Sequence, residues 1–346
     1  MAPDSRYVFV SSPNHLNELD NAPDSVLSLN SATKQMLQPW YTMHGFNWFD
    51  ERGTEGVGFV RVLRTLLTNN LPNILPDLGP VVRGRLSRIM DQQPTQNKTV
   101  QLAVYPAILK LVSIGSEKRG LFSLSSRTRR ANINLRRDSK AGPQGCSTTI
   151  TFALHDLCLH PEYAQPLRRE LSEHYVQFEQ TGVGLPLLDS FIKESARLTP
   201  IEAQSTRRGV LQPFTFSDGT RLGIGDWACT PARAIMQKAE YYPDPTSFHG
   251  FRFADAATMH KAAIPLSFPS QNPTQLTDVG DTWHVWGTGR MTCPGRFYAT
   301  AVMKVIISQI IMQYECKLID EASPRLFTWR STTIPKNNTM MAFKHV

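Results

Sequence analysis

Apolar residues recur along this chain with two periods, one near 3.6 and one near 2, and the longer period dominates. Val57, Val60, Leu63, Leu66 and Leu67 keep helical spacing over residues 55–70, which predicts a helix that ends before Leu71-Pro72. Residues 99–114 form a second apolar-periodic segment. A third helical pattern runs from Thr148 to about His174 and breaks near His160-Pro161, where proline ends one helix and starts the next. Pro186 opens, and Pro200 follows, a further helix. The last, about Arg296–Tyr314, places Ala299, Val302, Val305, Ile306 and Ile310 on one face. The shorter period is confined to small pieces. Tyr7-Val8-Phe9-Val10 is β-prone and bounded by Ser-Ser-Pro, and Thr215 to Ala228 alternates around Asp218-Gly219, a hairpin signal. The expected fold class is mainly α with a small β part, without internal repeats.

At 346 residues and 41% apolar content, the chain can bury one large core or two medium ones. No run of about 18 uncharged apolar residues occurs, so no membrane-spanning helix is expected. The start, Met1-Ala2-Pro3-Asp4-Ser5-Arg6, lacks the apolar stretch of a secretory signal. Cys146, Cys158, Cys229, Cys293 and Cys316 are odd in number and include no C-x-x-C pair. That argues against disulfide scaffolds, zinc ribbons and a disulfide-linked partner, and favours a reducing compartment. The pI of 9.3 changes little, because the charge is local. Residues 118–140 hold eight Lys/Arg against Asp138 alone and supply +7 of the formal +8. Such a Ser-rich basic stretch reads either as a patch for an anionic partner or, more commonly, as a solvated loop. No zinc-finger, ribonucleoprotein or helix-turn-helix signature accompanies it, and no nucleic-acid partner is expected.

One stretch carries chemistry: Trp286-Gly287-Thr288-Gly289-Arg290-Met291-Thr292-Cys293-Pro294-Gly295-Arg296 stands just before the last helix. Glycines let a loop turn tightly and bring its backbone close to a flat ligand, as Gly287, Gly289 and Gly295 would here. Pro294 suits a first helical position, which would put Cys293 at the cap, where the helix dipole favours thiolate. A thiolate axial ligand pushes electron density onto haem iron. The alternative is that Cys293 is one more small buried hydrophobe. An aromatic-Gly-Cys-Gly pattern of this spacing arises by chance in roughly one chain per thousand of this length, which favours the haem-thiolate reading.

The stretch resembles the haem-binding loop of cytochrome P-450 enzymes. Upstream, Lys193-Glu194-Ser195-Ala196-Arg197-Leu198 is similar to the family's Glu-x-x-Arg helix, and Phe248-His249-Gly250-Phe251-Arg252-Phe253 to the segment that supplies a second arginine. Phe216-Ser217-Asp218-Gly219-Thr220 and Tyr242-Pro243-Asp244-Pro245 are similar to filamentous-fungal members serving secondary metabolism. The resemblance spans about residues 141–346, with a weaker likeness over 6–115. It implies the family's fold, with haem bound by Cys293 and a buried Glu194–Arg197–Arg252 cluster behind the loop. It further implies a monooxygenase acting on a lipophilic small molecule, with electrons from NADPH-cytochrome P-450 reductase.

The departures shape the remaining expectations. Family members are longer, and the chain reads as beginning after their membrane anchor and first helix. It also reads as missing the segment that roofs the substrate pocket. Three parts follow: residues 1–117, a basic linker over 118–140, and the haem-binding part over 141–346. The family usually sits at the endoplasmic reticulum membrane, whereas a chain without the anchor would be cytoplasmic or peripheral. In the helix that resembles the oxygen-binding one, Gly145 and Cys146 stand where consecutive threonines are expected. Ser147 and Thr148 are the candidate catalytic hydroxyls if the register shifts, although hydroxyls inside a helix commonly bond back to carbonyls. Met291 replaces the basic side chain that commonly meets a haem propionate, so Arg208, Arg207 or Arg64 is assigned that contact. Two other readings remain: a haem-binding or inactive remnant of the family, and a basic adaptor using residues 118–140.

Overall fold

The helical period wins over most of the chain because each helix it builds finds apolar surface to cover. The computed structural model describes residues 6–37, 65, 68–96, 98–113, 142–261 and 273–346. Its first part holds β1 (Tyr7–Phe9), α1 (Pro13–Asn21), β2 (Leu27–Ser28), α2 (Leu29–Leu37), α3 (Leu71–Asp91), β3 (Thr95–Gln96), β4 (Thr99–Ala103) and α4 (Val104–Val112). Then come α5 (Gly142–Leu159), α6 (Ala164–Thr181), α7 (Pro186–Leu198), β5 (Ser205–Val210), β6 (Phe214–Thr215), β7 (Arg221–Leu222), β8 (Trp227–Thr230), α8 (Ala232–Met236) and α9 (Ala256–Lys261). The last part is α10 (Arg296–Gln313), β9 (Tyr314–Leu318), β10 (Leu326–Trp329), β11 (Thr332–Pro335) and β12 (Met340–His345). The fold is mainly α with a small β part, as the pattern predicts.

Packing overrides local pattern in three places. The sequence reading ends a helix before Leu71-Pro72, yet α3 starts there and runs through Pro76 and Pro80. An interior proline costs a helix about 3 kcal/mol. Leu71, Ile74, Leu75, Leu78, Val82, Leu86 and Met90 recover more than that, since all are buried on one face that packs on α6 and α10. Residues 99–114 are not one helix. Val100 and Leu102 alternate inward along β4, which pairs with β12, and only then does α4 begin. The predicted hairpin is short: β6 and β7 close around Gly219 at φ 87°, while Trp227 and Ala228 leave it to pair with β5 and β1. Most of the segment 55–70, Arg64 and the whole of 118–140 lie outside the described residues.

Two apolar clusters result. The larger joins α3 to α7, α10 and the sheet β3-β4-β12-β9. At its centre α10 is buried on more than the one predicted face, since Met303, Ile307 and Ile311 are as enclosed as Val305 and Ile306. A helix apolar all round belongs in a core. The smaller cluster lies under the sheet β1-β8-β5-β2 with α1. Among the described residues, no helix is long and apolar enough to cross a membrane.

Candidate functional site

The Cys293 loop packs Trp286 against the larger cluster, meets α1 at Gly289 and feeds α10. Gly287 and Gly289 carry it at φ 74° and 58°, a backbone region that other residues rarely hold. A side chain at Gly289 would also strike Asp20 of α1, with a Cβ 2.5 Å from the Asp20 Cγ. Gly295 differs: its φ is −91° and it caps α10, which begins at Arg296. Pro294 is therefore not the first helical residue, and Cys293 stands two residues before the cap rather than on it. The consequence is electrostatic. Burial pushes the Cys293 thiol pKa up, against the opposing pull of the Gly295 and Arg296 N–H groups and the Arg296 charge. The backbone alone does not make Cys293 a thiolate; a bound cation would.

Behind the loop, α7 buries an unusual number of charges. The Glu194 and Arg197 side chains are fully enclosed. Arg197 forks onto Glu194, Nε to Oε2 at 2.7 Å and Nη2 to Oε1 at 2.8 Å, and its Nη1 donates to the carbonyls of Met236 and Pro245. Arg252 donates from Nε to Glu194 Oε1 at 3.0 Å and from Nη1 to the Pro243 carbonyl at 2.6 Å. The His249 N–H adds a further bond to Glu194 Oε1 at 3.0 Å. Every lone pair of the carboxylate that the cluster uses has a donor, which is the condition for burying a charge without prohibitive cost. Glu170 of α6 anchors the helix itself, accepting from the N–H groups of Leu187 and Leu188 at 2.7 and 2.9 Å. That is a carboxylate at a helix N-terminus, where the exposed donors and the dipole both favour it.

The arginines proposed for a propionate separate. Arg208 lies on β5 with its side chain 1% exposed and reaches Asp20 Oδ1 at 3.3 Å, while its Nε has no partner among the described residues. Arg207 points away, onto Glu202 and Ser331. Arg290 turns to the Ala22 carbonyl and Asp24. β5 is also stitched to the loop, Ser205 Oγ donating to the His284 carbonyl at 2.8 Å and Thr206 meeting Thr288 at 3.2 Å.

On α5, burial and the neighbouring Cys293 push the Cys146 thiol pKa up to about 12. Positions two apart on a helix are about 200° apart around its axis. Thr148 accordingly faces the other way, its hydroxyl 3.5 Å from the Tyr105 hydroxyl of α4. Ser147 is fully buried, and its carbonyl takes the Thr151 hydroxyl at 2.7 Å. The Thr148 hydroxyl therefore lies on the α4 side of the helix, beside that of Tyr105.

Residues 139–343 match the family model described as Cytochrome P450, more than half of the chain. The chain belongs to the cytochrome P450 family. Over 194 residues it is 34% identical to an ent-kaurene oxidase of Gibberella intermedia, a match covering 54% of this chain and 35% of that protein. Over 195 residues it is 33% identical to the cytochrome P450 monooxygenase olcJ of Penicillium canescens, covering 55% and 35%. The chain spans about a third of the length of the curated relatives it matches. Among solved structures, the retinoic acid-bound cyanobacterial CYP120A1 superposes with a TM-score of 0.68 at 17% identity, over 98% of this chain and 89% of that one. At that identity the likeness bears on the fold alone.

The family's cofactor is haem, and the residues present fit it. Arg208 offers a buried, unpartnered Nε of the kind an anionic propionate satisfies. A Cβ added at Gly295 meets no atom within 4 Å, and the half-buried Trp286, Phe297 and Tyr298 on either side of the cysteine in sequence pack against the larger apolar cluster. Sequence reasoning did not pick out Asp20, Glu170, Asp189, Lys193 or Lys304. All five are acidic or basic residues at ordinary helical spacing, and nothing in their order signals burial.

Proposed function

We propose that this chain holds haem through Cys293 and inserts one oxygen atom from O₂ into a C–H or C=C bond of a lipophilic small molecule. When bound, the haem iron supplies oxygen activation, favoured by the electron push of an axial thiolate. The chain's own residues hold that ligand in place. Gly287 and Gly289 let the loop turn, and Arg208 would neutralise a propionate. The Glu194–Arg197–Arg252 cluster fixes the segment 243–252 against α7 from the rear. Electrons would come from NADPH through cytochrome P-450 reductase docking on the Cys293 side. The ent-kaurene oxidases among the relatives point to a terpenoid-like hydrocarbon as substrate class, on analogy with the family's fungal members. The observation that carries the proposal is the saturated Glu194 cluster, which ties α7 to Arg252 in a chain that also carries a Gly-x-Gly-x-x-x-Cys loop just ahead of α10.

A second reading, a haem-binding remnant without monooxygenase activity, is favoured by one observation. The helix facing Cys293 presents Cys146 there and turns Thr148 towards Tyr105. One experiment separates the two. The purified, haem-loaded protein is reduced under carbon monoxide and its Soret band recorded, then assayed for oxygenated product. A thiolate-type band that Cys293→Ser abolishes supports haem ligation as proposed. Product formation then supports the monooxygenase, and a band without product supports the remnant. A thiolate band that survives Cys293→Ser and is lost in Cys146→Ser would overturn the ligand assignment.

A further inference from the structure

Glu194 is not the only residue of α7 that grips a distant segment. Asp189 and Lys193, one helical turn apart, are both nearly inaccessible. Neither side chain is hydrogen-bonded to that of Glu194, and both grip a different segment. Lys193 Nζ donates to Thr274 Oγ1 at 2.8 Å and to the Gln275 carbonyl at 2.7 Å, held between the rings of Phe253 and Trp283 at 4.7 Å from each centroid. Asp189 Oδ1 pairs with Lys304 Nζ of α10 at 2.5 Å. Asp189 Oδ2 accepts from the Leu276 N–H at 2.6 Å. From there the bonding is continuous. The Leu276 carbonyl accepts from the Trp286 indole Nε1–H at 2.6 Å, and the Trp286 carbonyl accepts from the N–H of Cys293 at 2.8 Å.

We propose that Asp189 is a positioning residue for Cys293. It acts through a latch that runs from its carboxylate to the Leu276 peptide, to the Trp286 indole N–H and to the backbone of the ligand cysteine. This deepens the proposed function and rests on Cys293 being the haem ligand. The two grips of α7 divide the work: Glu194 fixes residues 243–252, while Asp189 and Lys193 fix 274–276. Only the second is hydrogen-bonded directly to the loop. Arg296 reinforces it from the far side, its Nε donating to the Thr277 carbonyl at 2.9 Å. Leu276 is fully buried, so its peptide groups have no water to fall back on when either partner is lost. The latch is specific to a nitrogen-bearing ring at position 286, because an aromatic hydrocarbon there fills the same space and donates nothing.

The test is Trp286→Phe, which keeps the ring and removes the N–H, alongside Asp189→Asn, which keeps the shape and removes the charge that holds Lys304. Haem release from the loaded protein should quicken about fivefold in Trp286→Phe, the size expected for one lost hydrogen bond. Amide exchange at Cys293 should quicken too, and the ferric thiolate spectrum should broaden or shift while the thermal midpoint holds. Because Asp189→Asn also removes the partner of Lys304, the deciding measurement is the double variant: in one latch the two effects on haem release are less than additive. Unchanged release and spectrum in Trp286→Phe, or fully additive effects, would overturn the latch. Absence of any thiolate spectrum in the unmodified protein would instead overturn the haem reading, and Cys293 amide exchange would still report on the latch itself.

Discussion

The helices α7 and α5 both face the Cys293 loop, and they are built on opposite rules. On α7, Asp189, Ser190, Lys193, Glu194 and Arg197 are buried and each is hydrogen-bonded to a segment far away in sequence. The Ser195 hydroxyl is the exception, without a hydrogen-bond partner among the described residues. On α5, neither ring nitrogen of His155 has a partner among the described residues, nor does Asp156 Oδ2, and the Thr151 hydroxyl folds back on its own helix. Buried polar groups that are fully satisfied specify one arrangement, whereas unsatisfied ones leave the local structure under-determined. The contrast teaches that most polar groups buried on α7 tie distant segments of the chain to that helix, whereas His155 and Asp156 of α5 are enclosed without such ties among the described residues.

The sharpest way to break that contrast is to open the α7 side. Arg252→Ala leaves the Glu194 carboxylate buried with fewer donors, and removing one partner of such a cluster costs about 3–5 kcal/mol. The expected outcome is a large fall in thermal midpoint and folded yield, with haem retention falling alongside. A soluble variant with an unchanged midpoint would show that the cluster is not what holds 243–252 against α7.

The motif was legible and its setting was not. Glu194 and Arg197 stand three apart, which on sequence alone describes a solvated ion pair as well as a buried one. Only the spacing to Arg252 and Cys293 points inward. Asp189 and Lys193 carry no such companion signal, since an i, i+4 acid and base is the commonest surface pattern. Their burial follows from Leu276 and Trp283, which reach them across more than 80 residues of chain. The prolines of α3 mislead for a related reason: local propensity opposes a helix that apolar burial against α6 and α10 enforces. Cys293 was legible as a ligand candidate but not its distance from the helix cap, because Pro294 and Gly295 can each precede a first turn. The hydroxyl face of α5 depends on a rotation about the helix axis, which the order of Cys146, Ser147 and Thr148 does not fix.

A second prediction sharpens the α5 side through pH. Burial and the Arg325 charge lower the His155 pKa to about 4. The unfolded chain therefore takes up this proton near pH 6.5 and the folded chain only near 4, so stability is lost as pH falls through that window. By pH 4 the loss from His155 amounts to about 3 kcal/mol. Asp156 runs the other way. Burial raises its pKa to about 7, so its contribution is greatest at low pH and is lost as pH rises from about 4 to 7. The two slopes oppose each other over the same range. His155→Phe should remove one of them, raising stability relative to the unmodified chain at pH 4–5 and shifting the pH of maximum stability downward. Parallel curves of thermal midpoint against pH for the two proteins would show that His155 is not buried in this way.

The smallest expected effect tests whether the α5 side can be repaired. A proton relay needs its donor within about 2.6–3.2 Å of the acceptor, directly or through one water. The Thr148 hydroxyl is turned towards Tyr105 at 3.5 Å, too long for a strong bond and on the face away from Cys146. Thr148→Val should therefore cost well under about 1 kcal/mol and leave the ratio of product to NADPH consumed where it was. Gly145 is the position where an added side chain has room, since a Cβ there meets only Ile201 Cδ1 at 3.8 Å. Gly145→Thr should raise that ratio modestly by supplying a hydroxyl next to Cys146, and replacing a helix glycine should also raise the thermal midpoint slightly. Oxygen consumption, peroxide release and product, measured together per NADPH, decide the matter. If Thr148→Val uncouples the reaction and Gly145→Thr changes nothing, the hydroxyl that serves oxygen is Thr148 after all. The contrast between α7 and α5 would then not extend to oxygen chemistry.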